Sequence, residues 1–370
     1  MLVGVPKEIK NHEYRVGLTP ESVYELTKNG HQVMVQTNAG IGIEASDEDY
    51  KKVGATIVST PEEIFAKVEM IVKVKEPQPN ECKMIREGQI VFTYLHLAAD
   101  KKLTEDMMAT KCIGIAYETV TDRFGALPLL VPMSQVAGRL ATLAGTHYLQ
   151  KPYGGRGMLI AGVPGTEPAK VTIIGAGVVG TNALQMAVGL GADVTILNKS
   201  VDRLIKLDNI YGGRIKTVVS SQAAIEKHVY EADLVVGAVL VAGLAAPKLV
   251  TKAMLKNMKK GSVIVDVSID QGGCFETSRP TTHADPVYVV DDVIHYCVAN
   301  MPGAVPRTST YALNNATRPF VLKLANLGWE KALKEDKGFL DGLNVFKGKL
   351  TNGPVGESLD IDYVSPESVI

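Results

Sequence analysis

Gly175, Gly177 and Gly180 stand in the run Gly175-Ala176-Gly177-Val178-Val179-Gly180, after the apolar residues 171–174 and ahead of an apolar helical stretch reaching to about Leu190. In a strand–turn–helix setting, this G-x-G-x-x-G spacing lets the three glycines serve a tight turn, close approach of a pyrophosphate, and close helix–strand packing in turn. The helix start then offers unpaired N–H groups and a positive dipole end to the phosphates. The chemistry is dinucleotide binding; a structural turn without a ligand is the alternative. The next strand ends at Asn198, where NAD-binding proteins place an acid for the ribose hydroxyls. An amide still hydrogen-bonds to ribose but repels no 2′-phosphate, and Lys199, Ser200 and Arg203 lie close by. Losing a charged hydrogen bond costs about 1.5–3 kcal/mol, a preference lowered roughly ten- to a hundred-fold. NAD is therefore the expected cofactor, with tolerance for NADP.

Four further polar residues fall at or just past apolar runs: Arg15 in a dense polar loop after residues 2–5, Lys75 after 70–74, His96 after 90–95 and Asp270 after 263–267. Carboxyl ends of strands are where α/β folds put ligand contacts. A guanidinium grips a carboxylate through two parallel bonds, and a nearby ammonium adds a second positive pole. An imidazole suits proton transfer near neutral pH. Each residue also has a plainer reading: a surface arginine, a strand-end lysine reaching solvent, a hydrogen-bonded core histidine, and a turn aspartate ahead of Gln271-Gly272-Gly273.

The elements that must position these groups alternate between strand and helix. Short apolar runs at 2–5, 31–36, 55–58, 70–74, 90–95 and 112–116 are separated by capped amphipathic stretches such as Thr19-Pro20-Glu21 and Thr60-Pro61-Glu62-Glu63. This implies parallel strands joined by right-handed crossovers. Pro128 and Pro132 then break a loop, and residues 134–150 read as one long, almost uncharged helix that should be buried. A second series follows at 171–174, 194–197, 216–219, 234–239, 263–267 and 287–290. Residues 308–327 form another long helix, kinked or interrupted at Pro319, and no strand is expected in the tail beyond it. The expected fold is α/β: two Rossmann-like domains with parallel sheets flanking a cleft, linked by two long helices. Residues 1–133 plus 308–370 form the substrate domain and 134–307 the NAD-binding domain.

Composition narrows the classes. With 39 Lys+Arg against 40 Asp+Glu in 370 residues, the chain lacks the basic excess of a nucleic-acid or membrane-surface binder. Four scattered cysteines form no C-x-x-C pair and suit a reducing cytoplasm. The first residues carry no apolar signal-peptide core. Residues 171–192 are uncharged and long enough to span a bilayer, but their five glycines and the dinucleotide motif argue for a soluble strand and helix.

The loop Gly4-Val5-Pro6-Lys7-Glu8-Ile9-Lys10-Asn11-His12-Glu13-Tyr14-Arg15-Val16-Gly17-Leu18-Thr19-Pro20 resembles the N-terminal signature of the family of alanine dehydrogenases and nicotinamide nucleotide transhydrogenase α subunits. The resemblance continues through Val74-Lys75-Glu76-Pro77, Tyr94-Leu95-His96-Leu97-Ala98, Met133-Ser134-Gln135-Val136-Ala137-Gly138-Arg139, Asp270-Gln271-Gly272-Gly273-Cys274 and Asn300-Met301-Pro302-Gly303-Ala304-Val305-Pro306, covering essentially the whole chain. It implies reversible, NAD-dependent oxidative deamination of L-alanine to pyruvate and ammonia, through hydride transfer and an imine. Arg15 and Lys75 would hold the substrate, His96 would be the acid/base, and Asp270 would stand in the active site near the nicotinamide. Further nucleotide contacts would fall on Ser134, Val178, Val179, Arg203, Ser220, Val239, Leu240, Val267, Arg279, Val298 and Met301. No metal is needed for a hydride passed to an organic acceptor. The resemblance also implies a homohexamer whose partners are otherwise small molecules: L-alanine, pyruvate and ammonium. One departure is Gly17, where the family usually has alanine; added backbone freedom beside Arg15 is expected. The rivals are a transhydrogenase α subunit and a nucleotide sensor without turnover.

Overall fold

Apolar and β-branched residues form six parallel strands early in the chain: β1 (Leu2–Val5), β2 (Gln32–Gln36), β3 (Thr56–Val58), β4 (Met70–Val72), β5 (Ile90–Thr93) and β6 (Ile113–Ala116). The computed structural model describes residues 1–239 and 246–370. In space these strands run β3-β2-β1-β4-β5-β6. The chain builds outward from β1 in one direction, returns, and builds outward from β4 in the other. The loops leaving β1 and β4 therefore part, and a crevice opens at their carboxyl ends. Strands β4, β5 and β6 are buried throughout, which explains their continuous rather than alternating apolar runs.

The second series repeats that order. β7 (Lys170–Ile174), β8 (Asp193–Asn198), β9 (Ile215–Val219), β10 (Leu234–Gly237), β11 (Val263–Asp266), β12 (Val287–Val290) and β13 (Val293–Tyr296) form a sheet ordered β9-β8-β7-β10-β11-β13-β12, antiparallel only at the β12 edge. β13 is not foreseen from sequence. It follows β12 through Asp291 and Asp292, both with positive φ, the tight turn a two-residue hairpin requires. Its buried His295 interrupts the apolar pattern, but the ring is bonded to Val293 O and Thr277 Oγ1.

The chain divides into two compact units, Met1–Met133 with Gly303–Ile370, and Ser134–Pro302. One crossing lies inside the helix Val131–Tyr148, which begins earlier than the sequence suggests. Pro132 does not break a loop there; it sits in the helix's first turn, where a missing N–H costs nothing. Within the second unit this helix packs on Val178–Gly189: a Cβ at Gly138 would lie 2.2 Å from Val179 O, and Thr142 donates to Ala183 O at 2.9 Å. The other long helix, Pro306–Leu327, continues through Pro319 without interruption. Its Asn314 accepts from Thr19 N and donates to Gly17 O, fastening it to the Arg15 loop.

The tail also departs from expectation. β14 (Leu343–Phe346) and β15 (Lys349–Leu350) add two antiparallel strands beside β6. Asn344 breaks the apolar run and so hides the strand in sequence, yet it is buried because its amide donates to Thr119 Oγ1 and Gly342 O. The uncharged stretch 171–192 divides into β7, the glycine loop and a helix of 12 residues. No helix among the described residues is long and apolar enough to cross a membrane.

Candidate active site

In the first unit the functional side chains gather where β1 and β4 diverge. Glu8, in the loop after β1, accepts from the backbone N–H groups of Val74 (2.7 Å) and Lys75 (3.3 Å). Its other oxygen pairs with buried Lys73, which also pairs with Glu81 at 2.7 Å. This buried cluster clamps the segment carrying Lys75 to the segment carrying Arg15. Gly17 serves the same close approach: a Cβ there would stand 2.2 Å from Val72 O. Steric fit against the end of β4, rather than added backbone freedom, is what glycine supplies at this position.

Arg15 is 2% exposed and lies in a two-bond ion pair with Glu13, Nε to Oε1 at 2.7 Å and Nη2 to Oε2 at 2.6 Å. Burial works against the guanidinium charge, and Glu13 more than offsets it. Nη1 approaches Met133 Sδ at 3.1 Å. A substrate carboxylate would have to meet the Nη1–Nη2 edge, since Glu13 occupies the Nε side. The sequence alone does not single out Glu13, although its spacing of two from Arg15 is visible there.

Lys75 Nζ lies 3.3 Å from His96 Nε2. His96 follows β5, stacks on Tyr94 (ring centroids 5.6 Å apart) and adopts a left-handed backbone, φ 50° and ψ 34°. Burial, and then the Lys75 charge, push its imidazole down to about 3, so it is neutral at physiological pH. The backbone N–H of His96 donates to Glu118 Oε1 at 2.6 Å, and that of Leu95 to both Glu118 oxygens. Burial pushes Glu118 up to about 7. Glu76, adjoining Lys75, has a buried Oε2 without a hydrogen-bond partner, while Lys10 pairs with Oε1. Burial opposes its charge, but the Lys75 and Lys10 ammonium groups hold it below the usual carboxylate range. The cluster thus presents cations, an ionised carboxylate and an uncharged base within one crevice.

In the second unit the glycine loop lies between β7 and β10, again where the strand order reverses. Gly175 has φ +105°, and a Cβ there would be 2.4 Å from Ala238 O. One at Gly180 would be 1.8 Å from Gly175 O, so helix and turn meet only through glycine. At Gly177 a Cβ would meet nothing nearer than the Arg203 guanidinium at 4.0 Å. Open space, a helix start at Val178 and an adjacent cation fit a pyrophosphate. Asn198 ends β8, and its side chain joins two backbones: Oδ1 accepts from Ala176 N at 3.1 Å and Nδ2 donates to Ser200 O at 3.1 Å. Ser220 N donates to Asn198 O behind it.

The remaining candidates are spread around the carboxyl edge of this sheet. Val178 is exposed and Val179 half-buried at the helix start; Val239 and Val267 follow β10 and β11. Ser268, not foreseen, ties those two loops together by donating to Val239 O and accepting from Val239 N. Asp270 is exposed on the turn Ile269–Gln271. Asp266, likewise not foreseen, is buried beneath that turn and accepts from Ser268 N, Cys274 N and Ser278 Oγ, holding its shape. Arg279 stacks on Tyr288 at 4.0 Å. Val298 and Met301 are buried in this unit's core. Ser134 is half-buried on the Val131–Tyr148 helix. Leu240 lies outside the described residues.

Residues 4–137 match the domain family described as alanine dehydrogenase/PNT, N-terminal domain, and residues 141–353 match its C-terminal counterpart. Over 370 residues the chain is 58% identical to an alanine dehydrogenase of Halomonas elongata, covering 100% of both. It is 53% identical to that of Mycolicibacterium smegmatis over 363 residues, 98% of each. Among solved structures, an L-alanine dehydrogenase superposes with a TM-score of 0.94 at 51% identity, over 97% of this chain and 99% of that one. A transhydrogenase from Sinorhizobium meliloti shares the fold, with a TM-score of 0.82 at 24% identity over 95% and 100% of the two chains.

Proposed function

Because the chain belongs to the alanine dehydrogenase/PNT family, we propose that it is an L-alanine dehydrogenase, reversibly converting L-alanine and water to pyruvate and ammonium with NAD. The observation that carries this reading is the Lys75–His96 contact: a neutral imidazole 3.3 Å from an ammonium, beside Arg15, at the switch point of the first sheet. NAD, when bound, supplies the acceptor for the hydride leaving the amino acid's Cα. Gly175, Gly177, Gly180 and Arg203 would hold its pyrophosphate, with Asn198 at its ribose.

Arg15 and Lys75 orient the substrate by its carboxylate and developing carbonyl. Loss of hydride leaves an imine, which water attacks. Neutral His96 takes the proton from that water and returns it to the nitrogen of the resulting carbinolamine. The carbinolamine expels ammonia as its hydroxyl proton passes to His96, while Lys75 donates to the oxygen that becomes the carbonyl. In this reading Asp270 assists. In reverse, ammonia adds to the carbonyl, and His96 protonates the hydroxyl so that it departs as water and leaves the imine. The Asn198 amide supports tolerance of NADP, because it places no charge against a 2′-phosphate. A cytoplasmic homohexamer completes the proposal, and sedimentation of the purified protein tests the assembly.

Mixing the protein with pyruvate, ammonium and NADH decides the reaction. Loss of NADH that requires both other substrates is expected. NADH binding without turnover, or oxidation only by a second nucleotide, would overturn the reading.

A further inference from the structure

The left-handed backbone of His96 is unusual for a residue with a side chain and persists only where its surroundings impose it. The nearest cause is on the neighbouring strand. β5 and β6 pair in parallel, Thr93 beside Ala116, so the turn Tyr117–Thr119 emerges next to residues 94–96. From it Glu118 receives two consecutive backbone donors: His96 N at 2.6 Å on Oε1, and Leu95 N at 3.1 and 3.2 Å on the two oxygens. The β5–β6 ladder ends at the Thr93–Ala116 pair, and beyond it one carboxylate satisfies both groups.

We propose that Glu118 is a positioning residue whose side chain holds the Leu95–His96 backbone in the left-handed turn that sets the His96 imidazole against Lys75. Tyr94 fixes the ring's tilt by stacking, and its own hydroxyl is anchored on Leu129 O at 2.6 Å. Glu118 fixes where the ring starts from. A single carbonyl-type oxygen suffices, because Oε1 alone accepts from both N–H groups. The clamp therefore needs an acceptor of this reach and not a negative charge. The inference rests on the reading of His96 as the proton carrier.

The test compares Glu118→Gln and Glu118→Ala, each with and without His96→Ala. Glutamine keeps the accepting oxygen; alanine removes it. Glu118→Ala should lower kcat by about 10- to 100-fold, the scale of a misplacement near 1 Å, with little change in KM for pyruvate. Glu118→Gln should recover most of that loss. In the His96→Ala background Glu118→Ala should cost nothing further, because the group it positions is gone. Crystal structures should show residue 96 outside the left-handed region in Glu118→Ala and inside it in Glu118→Gln. An equal loss in both backgrounds, a glutamine variant no better than alanine, or an unchanged backbone at residue 96 in Glu118→Ala would each overturn the proposal. Should Glu118→Ala not fold, Glu118→Asp, whose shorter side chain withdraws the acceptor, takes its place. If the parent protein does not turn over pyruvate, ammonium and NADH, the functional reading fails, and the backbone at residue 96 still decides the clamp.

Discussion

The Nζ of Lys75 and the Nε2 of His96 are 3.3 Å apart. An ammonium can only donate, so Nε2 bears the lone pair and Nδ1 the proton. The residue that would grip the substrate thus also keeps the imidazole uncharged.

Replacing Lys75 with methionine should raise the His96 pKa from about 3 toward its ordinary value of 6.5, while burial, the larger cause, keeps it lowered. NMR titration of the imidazole checks this; an unmoved pKa would remove Lys75 as a cause. The same shift links to stability. Between pH 6.5 and about 3 the unfolded chain binds a proton that the folded chain refuses, so His96 lowers stability as pH falls through that window. His96→Ala should flatten the acid limb of the unfolding profile.

Glu13→Ala should leave the Arg15 guanidinium buried without its two-bond partner, at a cost of about 3–5 kcal/mol. Urea unfolding measures it. KM for pyruvate should rise more than kcat falls, because the arginine loses orientation rather than the base its proton chemistry.

Two glycine substitutions separate fold from ligand. Gly180→Ala drives a Cβ to 1.8 Å from Gly175 O and should cost at least about 1–3 kcal/mol of stability. Gly177→Ala meets only open space beside Arg203, so its thermal midpoint should hold. Its NADH affinity should fall about tenfold or more, as phosphate hydrogen bonds are displaced. NADH fluorescence titration on both variants checks the pair.

Asn198→Asp would keep the bond from Ala176 N but turn a donor to Ser200 O into a repulsive oxygen. Against a 2′-phosphate it adds negative charge. The ratio of kcat/KM for NAD over NADP should rise about ten- to a hundred-fold, the worth of one charged hydrogen bond at about 1.5–3 kcal/mol. An unchanged ratio, or a parent preference already above roughly four decades, would remove Asn198 as the source of tolerance.

Local pattern was enough to read the strand–helix alternation, the glycine loop and the strand ends bearing Lys75, His96 and Asn198. Elements whose apolar run is interrupted by a buried polar residue were not legible. Asn344 conceals β14 and His295 conceals β13, because each is satisfied by partners far along the chain. Pro132 misled for a related reason, and Pro319 does not interrupt its helix: a proline's effect depends on which helical turn it occupies and what packs around it.

By itself the sequence determined the repeated α/β architecture and the dinucleotide loop, since periodicity, caps and glycine spacing act between residues only a few positions apart. The tertiary structure alone decided the electrostatic character of the crevice. Glu13 takes one edge of Arg15, Glu8 ties the Lys75 segment down, Glu118 holds the His96 backbone, and Gly17 lets the loop reach Val72. Except for Glu13, these partners stand many residues apart, and strand order brings them together. Even for Glu13, burial, which no local spacing encodes, is what turns an ordinary acid–base pair into a fixed one.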